Sequence, residues 1–312
     1  MFPYVGNGAY CYANSISMLL AAHGETISPS LIEPLTGVGL GALWDENATE
    51  LFFSNLATPP DIGLSQALNL LGFDFIERVS ENPTSPPWET LRADLQKSPA
   101  ILGPVDMGFL RYNSLSKYVQ GADHYILVYK LDEKEAFLHD PDGFPHVSLP
   151  LNFLEQAWKA DAIGYRRGSY RYWTGILRRE QPTPDEIFAR AIQAFRSSYH
   201  ESAAISAQTG LLCNETAILA CTERLRPGKV PGPLKSILKL FALKLGARRA
   251  LDFATFFDLR SPDLAQLKRQ QAQLFGQSHT LAVAERWTAL SKNLQTLAEL
   301  EKEFRTALTN CA

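Results

Sequence analysis

Cys11 is placed where a thiol can do chemistry. Gly6-Asn7-Gly8-Ala9-Tyr10 before it reads as a glycine-bracketed turn. From Cys11 to Ala22 the residues Ala13, Ile16, Leu19 and Leu20 recur at helical spacing, and Gly24 is a stop signal. A thiol in the first turn of a helix meets backbone N–H groups that lack intrahelical partners and the positive end of the helix dipole, both of which favour a thiolate. A thiolate used as a nucleophile needs an imidazole as proton carrier, and the imidazole needs a carboxylate or amide to orient it.

The second stretch supplies both groups. Asp123-His124-Tyr125-Ile126-Leu127-Val128-Tyr129 reads as an apolar strand starting at His124. A turn follows at Asp132-Glu133-Lys134-Glu135, then a second strand, Ala136-Phe137-Leu138-His139-Asp140, ends at Pro141-Asp142-Gly143. The start of one hairpin strand and the end of the next lie side by side, so Asp140, 16 positions after His124, falls beside it. Asp123 and Asp142 are rivals for the orienting role. His139 points to the opposite face of its strand from Asp140 and is expected to be structural. His23, at a helix end, is expected to meet the last helical carbonyls.

The elements around these residues are coarser to read. Helices are expected at Leu64–Leu71, Trp88–Gln96 and Leu151–Lys159, and strands at Phe73–Val79, Pro99–Val105, Phe144–Leu149 and Tyr170–Leu177. Met107 to Gly121 reads as a loop over a pocket. Glu25 to Pro60 has little pattern, and its Gly37, Gly39 and Gly41 do not follow a convincing strand, so no dinucleotide loop is read there. Tyr165-Arg166-Arg167-Gly168-Ser169-Tyr170-Arg171-Tyr172-Trp173 reads as a strand with an exposed edge. After Gln181-Pro182-Thr183-Pro184 the pattern is almost wholly helical: Pro184–Gln208, Asn214–Arg224, Leu234–Phe257 and Pro262–Leu308. We place a domain boundary there, giving an α+β domain over 1–180 and a helical domain over 181–312.

Composition bounds the function. The chain has 312 residues, 46% hydrophobic and 20% charged, with a net charge of −3, so it has an ordinary globular composition and no global case for nucleic acid. Its four cysteines, Cys11, Cys213, Cys221 and Cys311, show neither metal spacing nor a disulfide framework. Cys213 and Cys221 are expected on helices, in the core. No secretory signal and no run of about 18 apolar residues is visible. A reduced, cytoplasmic protein with no membrane span, metal or cofactor is expected.

A cysteine opening a helix near the N-terminus, a histidine at a strand start and an Asp-Pro after a hairpin together resemble the papain-like superfamily, in particular its C39-like branch. The layout resembles the family of the butirosin biosynthesis H protein, in which a C39-like domain precedes a helical region. The resemblance covers residues 6 to 143 at the level of motifs; beyond that it rests on helical content and order. It implies a papain-like α+β fold of antiparallel sheet and helices. It also implies Cys11 as nucleophile, His124 as base and Asp140, which precedes Pro141, as orienter. The implied activity is transfer of an acyl or peptidyl group from a carrier-protein thioester through Cys11 to an amine, in natural-product biosynthesis. The phosphopantetheine arm would enter only as part of the substrate. Papain-like peptidases carry a glutamine about six residues before the cysteine; here that position is Val5, and the oxyanion hole is expected either from Asn7 with the Cys11 N–H or from backbone and Tyr10 alone. A thioester needs less oxyanion stabilisation than a peptide, so the departure leans towards transfer. The alternatives are a cysteine peptidase or amidase using the same three residues, and a non-enzymatic interaction protein on a degenerate peptidase fold.

Arg224 to Arg249 holds eight basic residues and no acidic ones, above an apolar stripe of Leu234, Ile237, Leu238, Phe241 and Leu245. A solvated helix face is the plain reading. The sharper one is a docking face for an acidic acyl or peptidyl carrier protein, formed by Lys235, Lys239, Lys244, Arg248 and Arg249. A small amine would be the acceptor. The helical half could also cap the active site or form a homodimer.

Overall fold

A computed structural model describes residues 3–6, 8–80, 84–226 and 228–311. In chain order the first elements are α1 (Cys11–Ala22), α2 (Pro29–Thr36), β1 (Leu43–Asp45), β2 (Glu50–Phe52), α3 (Pro60–Leu70), β3 (Phe73–Ser80), α4 (Trp88–Leu95), β4 (Ala100–Asp106), β5 (Asp123–Leu131), β6 (Glu135–Asp140), β7 (Phe144–Pro150), α5 (Leu151–Lys159) and β8 (Ser169–Arg178). There follow α6 (Pro184–Thr209), β9 (Leu212–Cys213), α7 (Asn214–Arg224), α8 (Gly232–Ile237), α9 (Leu243–Phe257), α10 (Pro262–Val283) and α11 (Trp287–Asn310). The fold is α+β, with antiparallel sheets and a helical C-terminal region.

The chain divides into two compact units, residues 1–32 with 64–182 and residues 33–63 with 183–312. The second unit therefore takes a segment that the sequence reading gave to the 1–180 domain. The reason is strand pairing and charge: β1 pairs with β9 through Leu43 and Cys213, and Glu33 pairs with Arg249. Neither partner is visible from the weak local pattern of residues 25 to 60.

The first unit is built on a six-stranded antiparallel sheet in the order β3-β8-β4-β5-β6-β7. Its central strands are apolar and buried, and Leu102, Ile126, Val128, Leu138 and Tyr172 pack with Leu154, Ala157 and Trp158 of α5 in one core. α1 packs on β5, where Ser15 Oγ donates to the Tyr125 carbonyl at 3.2 Å. β8 lies between β3 and β4, so the stretch from Tyr165 to Trp173 is not an exposed edge. Arg171, Tyr172 and Trp173 are buried, and Arg171 is paired with Glu77.

The second unit packs its helices around the three-stranded sheet β2-β1-β9, with Trp44, Phe53, Ile218, Leu238, Phe275 and Leu294 in its core. α6 starts on a reciprocal capping box between Thr183 and Glu186 and ends at Gly210 with φ 76°. One long expected helix is broken by a turn, and another stays helical through a wider turn. A turn at Ala284–Arg286, with Glu285 at φ 54°, separates α10 from α11. A π-helical segment, Leu238–Ala242, separates α8 from α9. Its wider turn rotates the apolar stripe, so Leu234, Leu238 and Leu245 stay buried while Phe241 is 47% exposed.

Candidate active site

Cys11 is the first residue of α1, and the residue before it pays a conformational cost to put it there. Tyr10 takes a left-handed conformation, φ 55° and ψ 54°, which is unusual for a bulky side chain. Asn14, one turn into the helix and fully buried, holds that turn: its Nδ2 donates to the carbonyls of Ala9 and, at 3.0 Å, Tyr10. The backbone N–H of Gly8 donates to the Pro141 carbonyl at 3.4 Å, so the turn before the cysteine rests on the turn after Asp140.

His124 is the second residue of β5, and Asp140 closes β6. Under the two-residue alternation of a hairpin both share a face with Ile126, Val128 and Leu138. His124 Nε2–H donates to Asp140 Oδ1 at 2.6 Å, with the aspartate fully buried and the histidine 5% exposed. This leaves Nδ1 for the Cys11 thiol, which is the second partner of the imidazole. Burial alone would strip the proton from His124. The Asp140 carboxylate and the Cys11 sulfur more than offset that and hold it well above the usual imidazole value. Burial likewise penalises the Asp140 charge. His124, the Asp142 N–H and the Tyr112 hydroxyl outweigh it and keep the carboxyl below its ordinary range.

The rivals for the orienting role have other tasks. Asp123 Oδ2 accepts from the Tyr165 hydroxyl at 2.7 Å, and Asp142 contributes its backbone N–H to Asp140 Oδ1 at 2.7 Å. Tyr112 OH donates to Asp140 Oδ2 at 2.8 Å and Tyr4 OH to the Asp140 carbonyl at 3.0 Å. Sequence reasoning did not find these tyrosines as partners, because both reach Asp140 from distant, irregular segments where no periodicity gives a direction. His139 is fully buried on the other face, among the rings of Tyr4, Tyr129 and His146. The His23 ring bonds Ser98 Oγ at 2.8 Å, and it is the backbone N–H groups of His23 and Gly24 that reach the helical carbonyls, of Leu20 at 2.9 Å and of Ala21 at 3.1 Å. The oxyanion candidate Asn7 lies outside the described residues.

The five basic docking candidates do not form one free face. Lys235 and Lys239 both pair with Glu285, at 3.6 and 2.7 Å, and both lie over the Trp287 ring. Arg249 is buried; its Nε donates to Glu33 at 2.7 Å and a terminal nitrogen to the Phe53 carbonyl at 2.7 Å. Arg248 is half-buried, and Lys244 is exposed. Cys213 and Cys221 are both buried, though Cys213 sits in β9 rather than on a helix, and burial pushes the Cys221 thiol up to about 12. A cavity of about 20 Å³ in the helical unit is lined by Arg249, Lys268, Gln271 and Glu301, room for about one water. Among the described residues no cluster of three or more His, Cys, Asp or Glu has the geometry for a metal, and no helix is long and apolar enough to cross a membrane.

Comparison with known proteins places the chain in a family. Residues 207–309 match the profile described as the YobF C-terminal domain. The uncharacterized protein YobF of Bacillus subtilis (strain 168) is 39% identical over 308 residues, covering 99% of this chain and 98% of that protein. This second match runs through the Cys11, His124 and Asp140 unit as well as the helical one, so the chain belongs to the YobF family.

Proposed function

We propose that the protein is a papain-like, C39-like cysteine acyltransferase that moves an acyl or peptidyl group from a thioester through Cys11 to an amine. The observation that carries this reading is the ordered contact from the Cys11 thiol to His124 and from His124 to a buried Asp140 at 2.6 Å, with the cysteine at a helix N-terminus. A buried structural cysteine has no need of a histidine held protonated beside it; a nucleophile does.

The steps follow from the roles proposed for the three residues. The Cys11 thiolate attacks the thioester carbon, and the bond to the donor sulfur breaks as His124 protonates the departing thiol. The acyl group is then on Cys11 and His124 is neutral. The amine attacks that carbon and passes a proton to His124, and the Cys11 thiolate leaves, restoring the ion pair. Asp140 keeps the ring oriented and stabilises its charged form throughout. A thioester donor fits a site without the glutamine that peptidases carry, since Val5 occupies that position. A carrier-bound donor would not use the five basic residues as a single docking face, because three of them are paired or buried.

Intact-mass spectrometry with carrier-bound and small acyl thioesters tests this. An acyl adduct is expected, mapping to Cys11, absent in Cys11→Ala and discharged as amide by an amine panel. Release as free acid across the whole panel would make the protein a hydrolase, and failure to form an adduct would end the acyl-enzyme reading.

A further inference from the structure

We infer that Tyr112 is a positioning residue of the Cys11 site, delivered to Asp140 by a loop whose neck is pinned for that purpose. This rests on the acyl-enzyme reading for its consequence in turnover, but not for its structural content. The 107–122 segment leaves the end of β4 and returns to the start of β5. Asp106, 2% exposed, clamps its two ends together: Oδ1 accepts from the N–H of Gly108 and from that of Gly121, both at 2.8 Å. Met107 N–H also donates to the Ala122 carbonyl at 3.0 Å. The ends meet so closely that a Cβ on Gly108 would lie 2.7 Å from the Gln120 Cα. Inside the loop, Asn113 N–H donates to the Leu110 carbonyl at 2.9 Å, and Asn113 Oδ1 accepts from Leu115 N–H at 2.9 Å, fixing the turn that carries Tyr112.

A loop so constrained holds one hydroxyl in one place. The Tyr112 ring packs 5.5 Å from Phe144, the residue of β7 paired with Asp140, and its hydroxyl meets the Asp140 oxygen that His124 does not use. Asp140 Oδ1 already takes two donors, His124 and the Asp142 N–H. Tyr112 supplies the Oδ2 donor of a carboxylate that has no exposure to water. Without it that oxygen has a charge to hold and no described side chain to share it. The carboxylate is then free to rotate about its remaining bonds, and the imidazole it orients loosens with it. Burial drives the Tyr112 hydroxyl well above the usual phenol value, so it stays a donor wherever Asp140 is ionised.

The decisive experiment is Tyr112→Phe, which keeps the ring on Phe144 and removes only the hydroxyl. Two readouts are taken on folded protein, with far-UV circular dichroism as the control. In protein labelled with carboxyl-¹³C aspartate, the Asp140 resonance, assigned through Asp140→Asn, should titrate about one pH unit higher in the variant, as expected when a charged group loses one hydrogen bond. The rate of Cys11 alkylation by iodoacetamide at pH 7, read by peptide mass, should fall several-fold; Asp140 is ionised at that pH in both proteins, so the loss reports the looser orientation of the imidazole beside the thiol. An Asp140 midpoint unchanged by Tyr112→Phe overturns the inference. If wild-type Cys11 shows no alkylation dependent on His124, the acyl-enzyme reading fails by itself, and the Asp140 titration still decides whether Tyr112 positions that carboxylate.

Discussion

His124 and Asp140 form a pair whose parts are worth little apart. Asp140 is fully buried and ionised only because donors surround it, and His124 keeps its proton because the Asp140 carboxylate and the Cys11 sulfur outweigh its burial. Asp140→Asn keeps the shape and removes the charge. Thioester turnover should fall about 10²- to 10⁴-fold, the range of a lost acid–base group. The His124 midpoint, followed by ¹H–¹³C NMR, should drop towards the usual 6.5 or so. The sign for stability follows. The native state binds the His124 proton more tightly than the unfolded chain, so the imidazole's contribution is complete below about pH 6.5 and is lost as pH rises through the native value, while that of Asp140, whose carboxyl is held low, is lost only in acid as pH falls through its native value. In Cys11→Ser, where no thiol shares the proton, urea-unfolding stability should decline between pH 6 and pH 9. That decline should vanish in the Cys11→Ser, Asp140→Asn double variant.

α1 is the element that places Cys11, and its N-terminus is held from within. Asn14 reaches back to the carbonyls of Ala9 and Tyr10, and the left-handed Tyr10 is stable only while that latch is closed. Asn14→Asp is close to isosteric, yet it removes the donor and sets a charge against two carbonyl oxygens. It should cost about 1–3 kcal/mol or more in urea unfolding, and more than Asn14→Ala, because a buried charge left without a donor is penalised above a missing bond. Cys11 alkylation should slow in both variants. Equal stability of Asn14→Asp and wild type would mean that the latch carries no load.

At the scale of the whole molecule, the two units are not consecutive along the chain. The crossings between units fall within α2 and α3, and residues 33–63 belong with the helical unit. The Glu33–Arg249 pair stitches that segment in, with Glu33 fully buried and Arg249 5% exposed. Glu33→Ala leaves the guanidinium charge buried without its carboxylate. It should destabilise the full chain by about 3–5 kcal/mol in urea unfolding. Glu33→Gln, which keeps an acceptor oxygen, should cost less. If Glu33→Ala unfolds with wild-type stability, the inserted segment does not hold the helical unit together.

The sequence by itself determined the elements with strong local signals. The α1 period ending near Gly24, the hairpin from His124 to Asp140, and the helices after residue 184 all carry their pattern in consecutive residues, and the structure places them within a few positions of where they read, apart from the turn at Ala284–Arg286 that divides the last helix in two. The pairing of His124 with Asp140 was legible for the same reason, since a hairpin fixes which residues are neighbours. Tertiary structure alone decided the rest. Residues 33–63 carry little periodicity, and their place depends on β9 and Arg249, both more than 150 residues away. Phe241 left the core because a π-helical turn, invisible in an apolar pattern, shifted the stripe. Lys235, Lys239 and Arg249 read as one basic face until Glu285 and Glu33 met them. Tyr112 lay in a loop, and only the clamp at Asp106 gave it a direction. Local order is written in spacing; long-range contacts depend on which surfaces meet after the chain has folded.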